Sequence, residues 1–525
     1  MIDRKGYVRT VQPLLYGCVT GIACGATIAL FLICARVAIS FAFGIYENAN
    51  TALAAVCIIT LALLCCLLTA VLQTLVPSCK GSGIPLAEGC ARGILRVKWL
   101  RTAAALIAGS LLAFTCGMPL GSEGPSIGVG GLIGDGIGKA RKKPIEFRRY
   151  LITGGASAGL AVAFNAPLTG VAFALEETHR RFSPGILLAA FSAVVPAVMI
   201  SQLIFWGFGH SEYLSGIGVR AGMSVLPFLE QAEYANVQTY FSLCAIAVAC
   251  GIICAAIAIS FNRSIVALGK LFAKIKSPAL RLLPAFALTA ACGLALYATA
   301  GSGEASLDAV LHDPTLWLLF AVLGVRIVTT ALSSGSGATG GLFIPMIAIG
   351  GILGAILAKA CIKCGMSPAF TPNVIMLCVS AFFAASVRAP ISAIAMSLEL
   401  TASFANLLPC AIAVAFATAI AGVTHTEPLY ERMMKDLQST APVPAGSRNV
   451  EISGAITDTS LVCGKLIRDV LWPYNSLVTA LRRGDSDLVP DGETKLHIGD
   501  VITVRAENVV PDEFLKQIGY YISTE

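Results

Sequence analysis

The chain has 525 residues, 56% hydrophobic and 13% charged, with a mean hydropathy of +0.80. A soluble core of that apolarity would leave a surface with too few polar groups, so composition excludes a wholly water-soluble protein and predicts an all-α polytopic membrane protein for most of the chain. The net charge of +7 gathers in short loops between apolar runs, a pattern of membrane orientation and not of nucleic-acid binding.

The N-terminal MIDRKGYVR is basic, but the apolar run after it, 11–39, is too long for the core of a cleavable signal peptide, and a second run, 51–76, follows closely. Further runs of spanning length fall at 184–209, 238–262, 282–300, 315–332 and 407–424. Basic clusters lie at 92–101, 139–149, 179–181 and 263–281, whereas 40–50 and 301–314 carry acids without Lys or Arg. The first set reads as cytoplasmic and the second as external, and these assignments alternate correctly with the N-terminus inside. Most of the 18 cysteines, such as Cys57, Cys65 and Cys66, sit in apolar runs and behave as small hydrophobes. Cys361-x-x-Cys364 lacks the second pair a metal site would need, so no metal or cofactor is expected.

Three glycine-proline breaks interrupt the apolar sequence: Gly81-Ser82-Gly83-Ile84-Pro85, Gly121-Ser122-Glu123-Gly124-Pro125 and Gly340-Gly341-Leu342-Phe343-Ile344-Pro345. Gly121, Pro125, Ile127, Gly130, Gly131 and Gly134 align with Gly341, Pro345, Ile347, Gly350, Gly351 and Gly354 at an offset of 220, which sets Glu123 opposite Phe343. A second motif repeats as well. The apolar pieces 150–164 and 166–178 are separated at Asn165-Ala166-Pro167, and each is shorter than the roughly 20 residues that cross a bilayer. Their partner at 374–402 breaks at Arg388-Ala389-Pro390. Ala166, Pro167, Leu175, Glu176 and Thr178 align with Ala389, Pro390, Leu398, Glu399 and Thr401, while Glu177 falls opposite Leu400. The first hairpin has basic flanks and the second has almost none, so the two open to opposite sides: an inverted-topology repeat, with halves at about 10–209 and 238–430.

Glycines allow close approach to an ion, and proline starts a helix whose free amides point back at it. No Lys or Arg lies within the three breaks. Amide dipoles without full charges suit a permeating anion, which a buried cation would hold too long.

These motifs, in this order, resemble the CLC family of chloride channels and proton-coupled chloride exchangers over roughly residues 10–435. The resemblance implies a homodimer in the membrane lipid, with antiparallel halves and one anion pathway per subunit. It implies that Ser82 and Gly83, the amides of Leu342 and Phe343, and the hydroxyl of Tyr430 bind the central chloride. It makes Glu123 the gating glutamate, a carboxylate that imitates the anion and yields its place when protonated. Glu177 matches the position that many exchangers use as internal proton acceptor. Glu176 with Arg180 and Glu177 with Arg181 also have the spacing of helical ion pairs. Serine at position 82 is the family's mark of chloride preference. Glu88 resembles a structural glutamate of the family and is given no transport role.

Past residue 435 the composition turns polar. A linker is expected at 436–449, containing Ala441-Pro442-Val443-Pro444-Ala445-Gly446, and then a small cytoplasmic α/β domain at 450–525. Its segments from Ser460 to Lys465, Val489 to Gly492 and Ile498 to Ile502 resemble the TrkA-C (RCK-C) domain. That likeness implies a prokaryotic plasma-membrane protein with both termini cytoplasmic, and a domain that dimerises or takes a small regulatory ligand. No Walker motif, nucleophile triad or dense metal-ligand cluster points to an enzyme. The reading that follows is a Cl⁻/H⁺ antiporter. Its rivals are a passive voltage- or pH-gated chloride channel of the same fold and a ligand sensor worked by the tail.

Overall fold

The computed structural model describes residues 11–47, 52–180, 182–209, 237–311, 315–401, 404, 406–440, 446–458, 460 and 462–523. Among these, eight helices are long and apolar enough to cross a membrane, from Gln12–Glu47 to Pro368–Val387, and three shorter apolar helices join them. The first helix outruns its expected end. It continues through Glu47 because Phe41, Phe43, Ile45 and Tyr46 supply further apolar turns, so most of the expected external segment 40–50 is helical. Tyr46 is buried there and donates to the Cys116 carbonyl at 3.0 Å.

The two halves repeat one packing scheme. Helix Glu123–Ala140 lies against Ile145–Phe164, as Phe343–Lys363 lies against Thr371–Val387; Gln12–Glu47 lies against Pro184–Gly207, as Val237–Ala273 lies against Leu407–Val423. Backbone touches backbone in these pairs. A Cβ on Gly130 would sit 2.1 Å from the Gly155 carbonyl oxygen, and one on Gly155 would sit 2.1 Å from that of Gly130.

Reciprocal bonds join the halves. The amide of Gly121 donates to the Gly341 carbonyl at 2.8 Å, and the amide of Gly341 donates back to Gly121 at 2.7 Å, so two glycines equivalent by sequence offset pair as an antiparallel bridge. The hairpins are interlocked in the same way. The Glu176 carboxylate accepts from the amides of Ile391 and Ser392 and from Ser392 Oγ at 2.7–2.8 Å, at the start of helix Pro390–Thr401. Glu399 accepts from the amides of Leu168 and Thr169 and from Thr169 Oγ at 2.6–2.8 Å, at the start of helix Pro167–Phe173. Each carboxylate satisfies amides left open where the other repeat's helix begins after its proline. Glu176→Ala and Glu399→Ala are each expected to cost about 1–3 kcal/mol of stability, and the double variant more than either. Thermal unfolding in detergent checks this; a Glu399→Ala protein as stable as the parent would rule out the capping role.

After the last membrane helices, Leu429–Thr440 runs into the expected linker, whose proline-rich residues 441–445 lie outside the described ones. The C-terminal domain is an antiparallel sheet of β1 (Arg448–Ala455), β2 (Ser476–Arg483), β3 (Ser486–Leu488) and β4 (Val501–Val509), ordered β1-β4-β2-β3. The alternation predicted for Val501-Ile502-Thr503-Val504 holds: Ile502, Val504 and Ala506 point inward against Phe514 and Ile518 of helix Pro511–Ile518. The domain sits on the membrane part. Arg149 Nη1 donates to the carbonyls of Leu471 and Trp472 at 2.9 and 2.8 Å, and its Nε donates to Ala91 at 2.7 Å. Leu471 packs among Ala161, Val171 and Ile186, and Arg96 pairs with Glu513 at 2.5 Å.

Candidate functional site

The three breaks meet. Gly83, with φ +83°, precedes helix Ile84–Arg92, and a Cβ there would lie 2.5 Å from the Gly124 carbonyl oxygen. A Cβ on Gly124 would lie 2.1 Å from the Ser82 carbonyl oxygen, 2.6 Å from Ser82 Oγ and 2.8 Å from Gly341 Cα. Glycine is required at this junction by contact, not by sequence habit. Helices starting at Ile84, Glu123 and Phe343 therefore bring their unbonded first amides to one place.

Ser82, Gly83, Leu342 and Phe343 are all buried here. The Phe343 ring stands between Phe164 and Phe383, with centroids 4.6 and 4.3 Å away, so the residue opposite Glu123 in the repeat fills its place with a fixed aromatic wall. Tyr430 is wholly buried on helix Leu429–Thr440, which packs against Ile84–Arg92 and Thr371–Val387. Neither Ser82 Oγ nor the Tyr430 hydroxyl has a protein hydrogen-bond partner. Two buried hydroxyls in that condition suit a ligand that accepts hydrogen bonds.

Glu123 is wholly buried. Its Oε1 takes a long bond from Ser122 Oγ at 3.3 Å, its Oε2 has no hydrogen-bond partner, and the carboxylate lies near the amide of Ile344, in the first turn of Phe343–Lys363. A Cβ on Gly341 would be 3.1 Å from Oε2. The carboxylate of one repeat thus rests beside the helix start of the other.

Glu177 is placed apart from this junction. Pro167–Phe173 passes into a π-helical turn, Ala174–Thr178, and Arg180 adopts φ +52°. The expected pairing of Glu176 with Arg180 is replaced, because Glu176 is committed to the other hairpin. Arg180 Nη2 instead lies 3.5 Å from Glu177 Oε1, and its Nη1 pairs with Glu431. Arg181, expected to pair with Glu177, lies outside the described residues. Arg92 donates to the carbonyls of Glu177 and Thr178 at 2.7 and 2.8 Å. Glu177 is fully buried, and its Oε2 has no partner.

Sequence reasoning gives Glu88 no part in transport. The structure places its carboxylate, 1% exposed and with neither oxygen hydrogen-bonded, in electrostatic contact with Glu177. Tyr430 feels Glu123 first, then Glu177 and Glu88, so it is within electrostatic reach of both the junction and the second group of acids. A glutamate in a helix otherwise apolar apart from its final arginine is the available signal. Its partner is remote in sequence, so the spacing cannot reveal it.

Residues 64–422 match the family model described as voltage gated chloride channel. The chain is 33% identical over 366 residues to the H(+)/Cl(-) exchange transporter ClcA of Cronobacter sakazakii, covering 68% of this chain and 74% of that protein. It is 32% identical over 388 residues to the ClcA of Yersinia pestis, covering 71% and 77%. Among solved structures, a slow cyanobacterial Cl⁻/H⁺ antiporter superposes with a TM-score of 0.70 at 26% identity, over 82% of this chain and 98% of that one. A CLC-type fluoride/proton antiporter shares the fold at 21% identity, with a TM-score of 0.62 over 80% and 97%.

Proposed function

From the premise that the chain belongs to the voltage gated chloride channel family, we propose that it is a proton-coupled Cl⁻/H⁺ antiporter in which Glu123 is both gate and proton carrier. The observation that carries this reading is the wholly buried Glu123 carboxylate lying beside Gly341 and the Ile344 amide, at the helix start of the opposite repeat. Negative charge there is stabilised by the helix start, so carboxylate and chloride compete for one position. Protonation removes the carboxylate's claim and admits the anion. The chloride would be held by Ser82 Oγ, the Tyr430 hydroxyl and the amides of Leu342 and Phe343, with Gly83 allowing the approach. None of these donors carries a full charge, so the ion is dehydrated without being trapped.

Glu177 passes protons between the side of the membrane facing the C-terminal domain and Glu123. Its burial, its open Oε2 and the neighbouring Glu88 support that role. The rest follows the family pattern: a homodimer in the plasma membrane, both termini cytoplasmic, and a C-terminal domain of TrkA-C type that regulates or steadies the transporter through the Arg149 contact.

Reversal potentials of reconstituted protein under opposed pH and chloride gradients test the reading. Exchange requires that the potential move with the pH gradient. A potential set by chloride alone identifies a channel and removes the role given to Glu177.

A further inference from the structure

We propose that the second repeat carries its own anion seat, built from Ser302 and Arg326 and distinct from the Ser82–Tyr430 site. Such a seat rests on the reading that chloride is the cargo.

The sequence offset of 220 that pairs Gly121 with Gly341 also pairs Gly81-Ser82-Gly83 with Gly301-Ser302-Gly303. The structure treats the two turns alike. Gly81 and Gly83 have φ +85° and +83°; Gly301 and Gly303 have φ +69° and +145°. The amide of Gly81 donates to the Gly337 carbonyl at 3.3 Å, and the amide of Gly301 donates to Gly117 at 2.8 Å, the same bond carried across the repeat. A short helix follows each turn, Ile84–Arg92 in one half and Glu304–Leu311 in the other. Ser302 is 3% exposed and its Oγ has no partner, which is the condition of Ser82 Oγ.

One difference between the copies bears on charge inside the fold. Where the first repeat has Leu106, the second has Arg326, in the middle of helix Leu316–Ser336 and wholly buried. Its Nη1 donates to the carbonyls of Thr299 and Gly301. Nε and Nη2 have no hydrogen-bond partner. Nη2 comes within 3.3 Å of where a Cβ on Gly303 would lie, and Ile344 Cγ2 within 3.6 Å of the same point. The guanidinium therefore lies against the GSG turn, and the same turn packs on Ile344 and Ala348 of helix Phe343–Lys363. Carbonyl oxygens bear only partial charge, and a buried guanidinium with two open donors is costly unless an anion joins it. Glu304, the next residue after Gly303, is partly exposed and acts electrostatically on Glu123, so the turn is within electrostatic reach of the gate.

A small monovalent anion suits the chemistry of these donors. Ser302 Oγ gives one neutral donor and the Arg326 fork gives charged ones. Lacking a full charge, the Ser82 seat releases its ion readily; the Arg326 seat would hold one longer and load the gate.

Bromide is the probe. Crystals of the full chain grown in bromide should show anomalous density beside Ser302 Oγ and Arg326, absent in Ser302→Ala and in Arg326→Leu. In proteoliposomes, the chloride concentration for half-maximal uptake from the 301–304 side should rise about tenfold in Ser302→Ala and Arg326→Leu, and by less in Arg326→Lys, which keeps the charge. Ser302→Ala removes a single oxygen, so the test survives if Arg326→Leu fails to fold. Wild-type crystals with bromide at the Ser82 site but none at Arg326 would overturn the proposal, as would unchanged chloride dependence in Ser302→Ala. Loss of pH-driven flux in the wild-type protein would strike the antiporter reading instead, leaving the bromide result to decide this seat.

Discussion

Glu123→Ala and Glu123→Gln proteins are expected to conduct chloride while moving protons at least about a hundredfold more slowly than the parent. A chloride electrode and a pH electrode reading the same proteoliposomes will show it. Either substitution removes the one titratable group resting on the Phe343–Lys363 helix start. Glutamine keeps the shape but cannot carry the proton. Alanine also empties the space that the carboxylate fills beside Gly121, where Oε2 would be 2.2 Å from a Cβ. The alanine protein should therefore pass chloride faster than the glutamine protein. Retained pH-driven exchange in either variant would show that the gate lies elsewhere.

Glu177→Gln should give a comparable loss of proton movement by another route. Chloride flux continues, because Glu177 lies away from the Ser82–Gly124–Gly341 junction. Proton delivery fails, because the amide cannot titrate. The variant should still fold: Glu177 Oε1 holds only the long 3.5 Å contact to Arg180, which keeps its pairing with Glu431, and Arg92 bonds the backbone carbonyl and not the side chain. Glu176→Gln is the control. It weakens a hairpin cap and should lower stability while leaving the ratio of protons to chloride near the parent value. If Glu177→Gln kept proton flux and Glu176→Gln lost it, the two adjacent glutamates would have to exchange roles.

Much of the architecture is legible in residue spacing alone. Glycine and proline in an apolar stretch mark breaks directly, and the equal spacing of two sets of breaks reveals duplication. The acids without repeat partners, Glu123 and Glu177, stand out for that reason. What stays hidden depends on contacts between distant segments. The partnership of Glu176 with Glu399 is visible as alignment, but not that each reaches into the other hairpin, since that needs the halves in place. The helical spacing of Glu176 and Arg180 suggests a local ion pair; the π-helical turn and the left-handed Arg180 change the register, and Glu176 takes two amides instead. Glu88 reads as structural from family resemblance, and its closeness to Glu177 is hidden because the two are far apart along the chain. Arg149 reads only as one member of a basic cluster, whereas it clasps carbonyls of the C-terminal domain.

The crossed carboxylates bear on how such a chain could have arisen. A single half, expressed alone, would present Glu176 with nothing to receive it and leave the amides of Leu168 and Thr169 unanswered. A second copy, paired with the first as the two hairpins pair here, would supply both needs at once. An ancestor of half this length would then have worked as a pair of copies, which gene fusion made into one chain.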